Sequence, residues 1–284
     1  MPQTKIWFTL ILALCLCFSL VVQATTKQEM GIVINLAGKQ RMLTQKMTKE
    51  ILLIAKGIDT ATNKVNLQKT VTLFDKTLKG LLDGNAELGL PKTKDIAIVK
   101  RLNKIARLWK VFYEDIAVIL KGNISQKVLE NVARQNFLLQ QNMNKAVRMY
   151  AQTTDSNLKP AMAITINLAG KQRMLTQKMT KELLLVANGI SVEENKVYLK
   201  STSVLFERTL KGLFDGDVGL ALPATKDPAI RTQLEAVQKL WQEYKPILDI
   251  VDISDVGLAK AAQLNLALLK QMNKVVDMYE QSIK

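Results

Sequence analysis

The sequence predicts an all-α protein made of two tandem up-down four-helix bundles, eight long helices after an N-terminal signal segment. Two observations lead there. The seventeen residues Ile34 to Glu50, INLAGKQRMLTQKMTKE, recur letter for letter from Ile166 to Glu182, 132 positions further on. A repeat of that period means two copies of one module in tandem. Glycine and proline fall mostly between long runs of helical apolar periodicity, and β-branched alternation is rare.

The chain opens with Lys5, an apolar run from Ile6 to Val22, and then Val22-Gln23-Ala24. A basic start, an apolar stretch and a small residue before a polar segment read as a secretory signal covering residues 1–24, cleaved after Ala24. The rival reading is an uncleaved inner-membrane anchor over residues 6–22, near the lower length limit for spanning a bilayer. Leu14 before Cys15 and Leu16 before Cys17 are too bulky for a lipoprotein processing site. Either way the expected location is periplasmic. Both cysteines lie in this leader and the chain has no histidine. Disulfides, imidazole or thiolate metal sites, and Ser-His or Cys-His catalysis are therefore excluded. Acidic residues show no paired spacing, so no enzymatic activity, metal or cofactor is expected.

The formal net charge of +15 falls to about +14 without Lys5, which favours anionic partners. Nucleic acid is not among those expected. Basic residues are spread along the chain, and aromatic residues make up only 5% of it, leaving few platforms for base stacking.

In the first module (residues 25–152), the first helix runs from about Lys27 to Lys56 and stops at Gly57. The second starts near Thr62 and Asn63 and ends at Asp83-Gly84, a glycine C-terminal signal. The loop Leu88-Gly89-Leu90-Pro91 follows. Asp95 caps a third helix that runs to Lys121, and the fourth runs from near Ser125 to about Gln152. Residues 153–160 form a polar linker ending in proline. In the second module (residues 161–284), Gly189 and Asp215-Gly216 repeat the helix ends, and Asp227-Pro228 supplies a cap followed by proline at the first helical position. Trp241 answers Trp109 at the offset of 132, but Met272-Asn273-Lys274 answers Met143-Asn144-Lys145 at 129. The three missing residues are expected in the turn between the third and fourth helices. Pro246 is expected to kink the third helix or end it early. Lys79-Gly80-Leu81 and Lys211-Gly212-Leu213 read as helix ends with cations near the negative dipole terminus. Asn144-Lys145 and Asn273-Lys274 read as solvated helix faces.

An even number of helices returns the chain to the end where it began. The two repeated segments then run parallel at one height, as a dimer within one chain or through a second chain. At about 100° per residue, Val33, Leu36, Leu43, Met47, Ile51 and Ile54 cluster with Gln40 as a core stripe. Ile34, Gly38, Arg41, Gln45, Thr48 and Leu52 lie opposite; Asn35, Lys39, Lys46 and Lys49 fall on a flank suited to water. The opposite stripe recurs as Ile166, Gly170, Arg173, Gln177, Thr180 and Leu184. A helix-interior glycine costs about 1 kcal/mol relative to alanine, which makes sense where another backbone approaches. If the two stripes meet, Arg41 and Arg173 face each other across a pseudo-twofold axis. Two guanidiniums in a dry interface repel unless an anion separates them, and their planar donor arrays suit a small planar oxyanion. Gln45 and Gln177 are candidate additional donors. The alternative is that each arginine points to water or pairs with an acid.

The segment Asn35–Lys46, repeated at Asn167–Lys178, resembles the signature of the PilJ-type, or NarX-like, sensor domain, the periplasmic N-terminal domain of type IV pili chemotaxis transducers and nitrate/nitrite sensor kinases. The resemblance covers both copies and implies a four-helix bundle that binds its anion at a dimer interface through the motif arginine, here Arg41 and Arg173. It also implies that Gly38, Lys39, Gly170 and Lys171 line the site. Such domains are usually followed by an output module; none is visible after the second bundle, so the expectation is a protein that passes its signal to another protein or merely sequesters ligand. The leading expectation is thus a periplasmic binding or sensory protein for a small inorganic anion, nitrate or nitrite. The alternative is an interaction protein that docks a membrane chemoreceptor, sensor kinase or pilus component. A third option is binding of anionic lipid or polyanion.

Overall fold

The computed structural model describes residues 25–153 and 158–283; the leader and residues 154–157 of the expected linker lie outside the described residues. Eight α-helices make up the described chain: α1 (Lys27–Ala55), α2 (Thr60–Asp83), α3 (Ile96–Leu120), α4 (Gln126–Gln152), α5 (Pro160–Ala187), α6 (Val192–Asp215), α7 (Pro228–Asp249) and α8 (Asp255–Gln281). Helices α1–α4 form one up-down bundle and α5–α8 the second.

Local chemistry sets most boundaries. Thr26 and Glu29 form a reciprocal capping box at the start of α1, where a threonine oxygen and a glutamate each satisfy an orphan N–H. Asp95, Ser125, Asp227 and Ser254 cap α3, α4, α7 and α8 through their side chains. Helix α2 begins at Thr60, two residues before the expected start. There the Asn63 amide donates back to the carbonyls of Ile58 and Asp59 and so belongs to the first turn.

Beyond α2 and α6, Gly84 and Gly216 take φ of +87° and +83°, and a single 3₁₀ turn brings the chain back onto the helix. Leu90 then sits 2.9 Å from where a Gly80 side chain would begin, and Leu222 sits 3.2 Å from the matching point on Gly212. The repeated Lys-Gly-Leu is therefore a docking point for the loop, and its lysines, Lys79 and Lys211, pair with Asp75 and Asp215.

Helix α7 passes through Pro246 and ends three residues later, with 22 residues against 25 in α3. Its buried series Ile230, Leu234, Val237, Trp241, Tyr244 and Leu248 keeps the repeat register with Ile98, Leu102, Ile105, Trp109, Phe112 and Ile116. The deletion thus removes the last turn of the helix and leaves the core aligned. Phe74 stacks on Trp109 with ring centroids 4.4 Å apart, and Phe206 on Trp241 at 4.7 Å.

The most extensive helix contact in the molecule joins α1 to α5, across the two bundles. Gly38 meets Gly170, and Lys49 reaches Asn265, which also bonds Thr176 and Gln177. These pairings put α1 and α5 parallel and at the same height. Each of the two helices is therefore wrapped by its own bundle and by its twin. That leaves little of either wet. Ile34, Leu52, Ile166 and Leu184, on the outward stripes, are buried in the seam. Gln40 and Gln172, which share the apolar core stripes, donate to the carbonyls of Phe74 and Phe206 at 2.8 Å. The flank expected to be wet is corrected: Asn35 and Lys49 are buried, because a third packing partner covers it, while Lys39 and Lys46 are half-buried.

Candidate functional site

The seam between α1 and α5 collects the repeated polar residues in layers. At the glycine crossing, a methyl group on Gly38 would lie 3.4 Å from Arg41 Nη2, 3.7 Å from Arg173 Nη2 and 4.0 Å from Gly170 Cα. One on Gly170 would lie 3.3 Å from Arg173 Nη2 and 3.6 Å from Arg41 Nη2. Helical side chains lean toward the N-terminus, so each arginine runs back over the glycine three residues before it. The two guanidiniums therefore converge on one spot. Without a Cβ on either helix, the backbones come close enough for each arginine to reach the opposite helix.

Arg41 Nη2 donates to the Asn167 carbonyl at 3.0 Å, and its Nη1 to Asn144 Oδ1 at 3.1 Å. Arg173 Nη2 donates to the Asn35 carbonyl at 3.1 Å and to Asn35 Oδ1 at 2.7 Å. Asn144 is therefore a partner of the guanidinium rather than part of a solvated face, because α4 packs against both α1 and α5. Lys145 is exposed as expected. Arg41 is 0% and Arg173 2% exposed, neither forms an ion pair among the described residues, and the Nε of each is buried without a partner. Burial, together with the charges of Arg173 and Arg148, pulls the Arg41 guanidinium down to about 9. Burial pulls Arg173 down to about 10, against the support of Asp277 and Glu280. Both cations are thus held in a place that disfavours positive charge.

Lys39 and Lys171 flank the pair, half-buried. Burial and the neighbouring Arg41 and Arg148 bring Lys171 to about 8; burial and Arg173 lower Lys39, with Asp277 opposing. Gln45 and Gln177 lie one turn further on and are fully buried. Their amide nitrogens are engaged elsewhere, on Thr44 Oγ1 at 3.1 Å and Asn265 Oδ1 at 2.8 Å, so the structure does not join them to the guanidiniums.

Residues outside the repeated motif complete the surroundings. The fourth helices align at an offset of 129, which sets Arg148 of α4 against Asp277 of α8, and Ala151 against Glu280. The two halves therefore carry opposite charge around an identical motif. That signal was present in the sequence once the fourth helices were aligned in their own register.

The family profile of the PilJ domain, described as the type IV pili methyl-accepting chemotaxis transducer N-terminal domain, matches residues 23–135 and again residues 153–272. Among characterised proteins, the chain is similar to the methyl-accepting chemotaxis protein McpN of Pseudomonas aeruginosa, at 33% identity over 116 residues. That alignment takes in 40% of this chain and 21% of the relative, so the similarity spans about a fifth of that protein's length.

Proposed function

The chain belongs to the PilJ family, with two copies of this chemotaxis-transducer sensory domain, and on that premise we propose that it binds one small planar oxyanion, nitrate or nitrite, between Arg41 and Arg173. One observation carries the reading. Two fully buried guanidiniums converge over a pair of glycines, with no carboxylate among the described residues in ion-pair contact with either. Carbonyl oxygens satisfy donors but do not cancel charge, and like charges in a low-dielectric seam repel strongly. An anion between them removes the repulsion and takes up the free Nε donors. Planar oxyanions match the planar fork, which holds them with paired hydrogen bonds. Lys39 and Lys171 supply a positive rim that draws the ion in.

A PilJ domain is a periplasmic-type sensory domain, and the signal passes to membrane-associated partners in the same proposal. Among the described residues, no helix is long and apolar enough to cross a membrane. A ligand that pulls α1 toward α5 changes the contact between bundles, which is the available route for a signal.

Titration calorimetry of the protein with nitrate and nitrite, against chloride, tests this. Saturable heat is expected at one anion per chain. Each of Arg41→Ala and Arg173→Ala should weaken binding about 10- to 100-fold, the value of a charge-assisted hydrogen bond. No heat at millimolar anion, or equal heat from the double variant, removes the proposal.

A further inference from the structure

We propose that the groove between α4 and the α5–α6 turn binds an α-amino acid with a large apolar side chain, Lys181 taking its carboxylate and Glu182 its ammonium. A cavity of about 660 Å³ lies there, between the two bundles. Every residue of its lining is among the described ones, and neither Arg41 nor Arg173 belongs to it. Its floor is buried and its mouth exposed. Lys181, Glu182 and Asn136 form the floor, and Leu185 and Ile190 the inner wall. Phe137 of α4 and Tyr198 of α6 stand at the mouth, 50% and 40% exposed.

The floor has unused hydrogen-bonding capacity of both signs. Glu182 Oε1 accepts from Lys178, but Oε2 is buried without a partner. Beside it, the Lys181 ammonium has three donors and reaches Asn136 Oδ1 at 3.4 Å. Its twin Lys49 holds Asn265 Oδ1 at 2.9 Å, and that oxygen also accepts from Gln177. On the α4 side Gln45 donates to Thr44 instead, so Asn136 Oδ1 keeps only the long lysine contact. Glu50, the twin of Glu182, has the same unpartnered oxygen, so the rim decides between the halves. Where the α4 side carries Arg134, Phe137, Glu194 and Tyr198, the α8 side carries Gln263, Leu266, Thr62 and Asn66. A repeated floor thus meets an aromatic, charged rim in one half, which gives one site per chain.

The ligand class follows from charge and shape. Arg134, Lys178 and Lys181 balance Glu130, Glu182 and Glu194 around the lining, so the cavity favours no net charge. A lone amine at Glu182 would meet the Lys181 cation, and a lone carboxylate at Lys181 would meet Glu182. A ligand with both groups on one carbon answers two neighbouring buried charges together. Its side chain then runs from the floor along Leu185 and Ile190 to the two rings. The Tyr198 ring is held for it in advance, with the Lys178 ammonium 5.6 Å from its centroid and its hydroxyl donating to Glu194. The volume falls in the range of small-molecule pockets, and a bare inorganic ion would leave the apolar walls uncovered.

The test is calorimetry of the full chain with L-phenylalanine. Phenethylamine lacks its carboxylate, hydrocinnamate its ammonium and glycine its side chain. Saturable heat is expected for phenylalanine at one per chain, with each of the other three about 10-fold weaker or worse. Glu182→Gln should weaken phenylalanine about 10- to 100-fold, by removing the charge that meets the ammonium. Because Glu182 also holds Lys178, a second variant keeps the test open should that one fail to fold. Tyr198→Asn installs the residue of the other half at an exposed position. It should weaken phenylalanine about 10-fold and leave the melting temperature unchanged. Absence of saturable phenylalanine binding at millimolar concentration overturns the proposal. So does equal binding of phenethylamine or hydrocinnamate, or binding left unchanged by Tyr198→Asn. None of these results bears on the arginine-pair site, which the nitrate titration of Arg41→Ala decides separately.

Discussion

Two layers of buried cations cross the seam between the bundles, and they are completed in different ways. In the lower layer, Lys49 donates to Asn265 Oδ1 at 2.9 Å and Lys181 to Asn136 Oδ1 at 3.4 Å, each reaching the fourth helix of the opposite bundle. Those asparagines are held in turn, Asn265 on the Thr176 carbonyl and Asn136 on that of Thr44, both at 2.7 Å. Glu50 and Glu182, next in sequence to the lysines, are buried beside them and support their charge. The upper layer has Arg41 and Arg173 at equal depth, with carbonyls and asparagine oxygens as partners and no acid in contact among the described residues. Equal burial therefore hides two roles. The lysine layer is a closed cross-tie, while the arginine layer has no carboxylate in ion-pair contact among the described residues, the feature on which the proposed anion site rests.

The sharpest way to break this contrast is to cut the cross-tie. Asn265→Ala strips Lys49 and Gln177 of a shared acceptor and leaves two buried donors unsatisfied, which costs about 1–3 kcal/mol for each. Urea denaturation should show a loss of that order. The longer Lys181–Asn136 contact predicts a smaller loss for Asn136→Ala. If both variants keep full stability, the lysine layer is not a structural tie.

Next in size is a pH effect. Burial brings Lys49 and Lys181 to about 8, against an ordinary lysine value near 10.5 in the unfolded chain. The folded state thus binds fewer protons than the unfolded state between pH 8 and 10. By linkage, stability must rise with pH over that window, by at most about 1.4 kcal/mol per pH unit for each lysine. Above pH 10 the Tyr150 phenol, pushed up to about 12 by burial, opposes the rise because the unfolded chain loses its tyrosine protons first, while Arg41 and Arg173, lowered to about 9 and 10, extend it. Stability measured by urea titration should therefore climb from pH 8 to 10. Lys49→Met should shrink the rise. In the arginine layer, Arg41→Met should change anion-free stability by less than about 1 kcal/mol, or increase it, because it relieves a like-charge pair. It should nevertheless remove any thermal shift produced by nitrate.

The helices were legible because glycine, proline and capping residues mark their ends, and the even helix count brought the two repeated segments alongside. The meeting of Arg41 with Arg173 followed from that topology. The wet flank was misjudged because a helical wheel assumes one buried side, whereas α1 has packing partners on several. Lys49 depends on Asn265, 216 residues away, and nothing near Lys49 announces that acceptor. Asn144 was misread for the same reason, since its partner is on another helix. The opposition of Arg148 to Asp277 needed only the offset of 129 applied beyond the motif, but identical segments draw attention to likeness rather than to difference.

The smallest effect concerns the turns where the two copies diverge. Gly122, after α3, takes φ of +93°, the left-handed region that glycine enters at little cost. In the second copy the matching position after α7 is Val251, at φ of +51°. A β-branched residue crowds its own backbone there, at a cost of about 1–2 kcal/mol. The deletion that shortened α7 kept this left-handed terminus but not its glycine. Val251→Gly should therefore raise stability by about 1 kcal/mol, less than the strain relieved because glycine also gives the unfolded chain more freedom. Gly122→Val should lower it by a similar amount, and neither should alter nitrate binding. Paired urea curves decide the point: a loss of stability in Val251→Gly would mean that the valine side chain, half-buried against the core, contributes more by packing than its backbone loses.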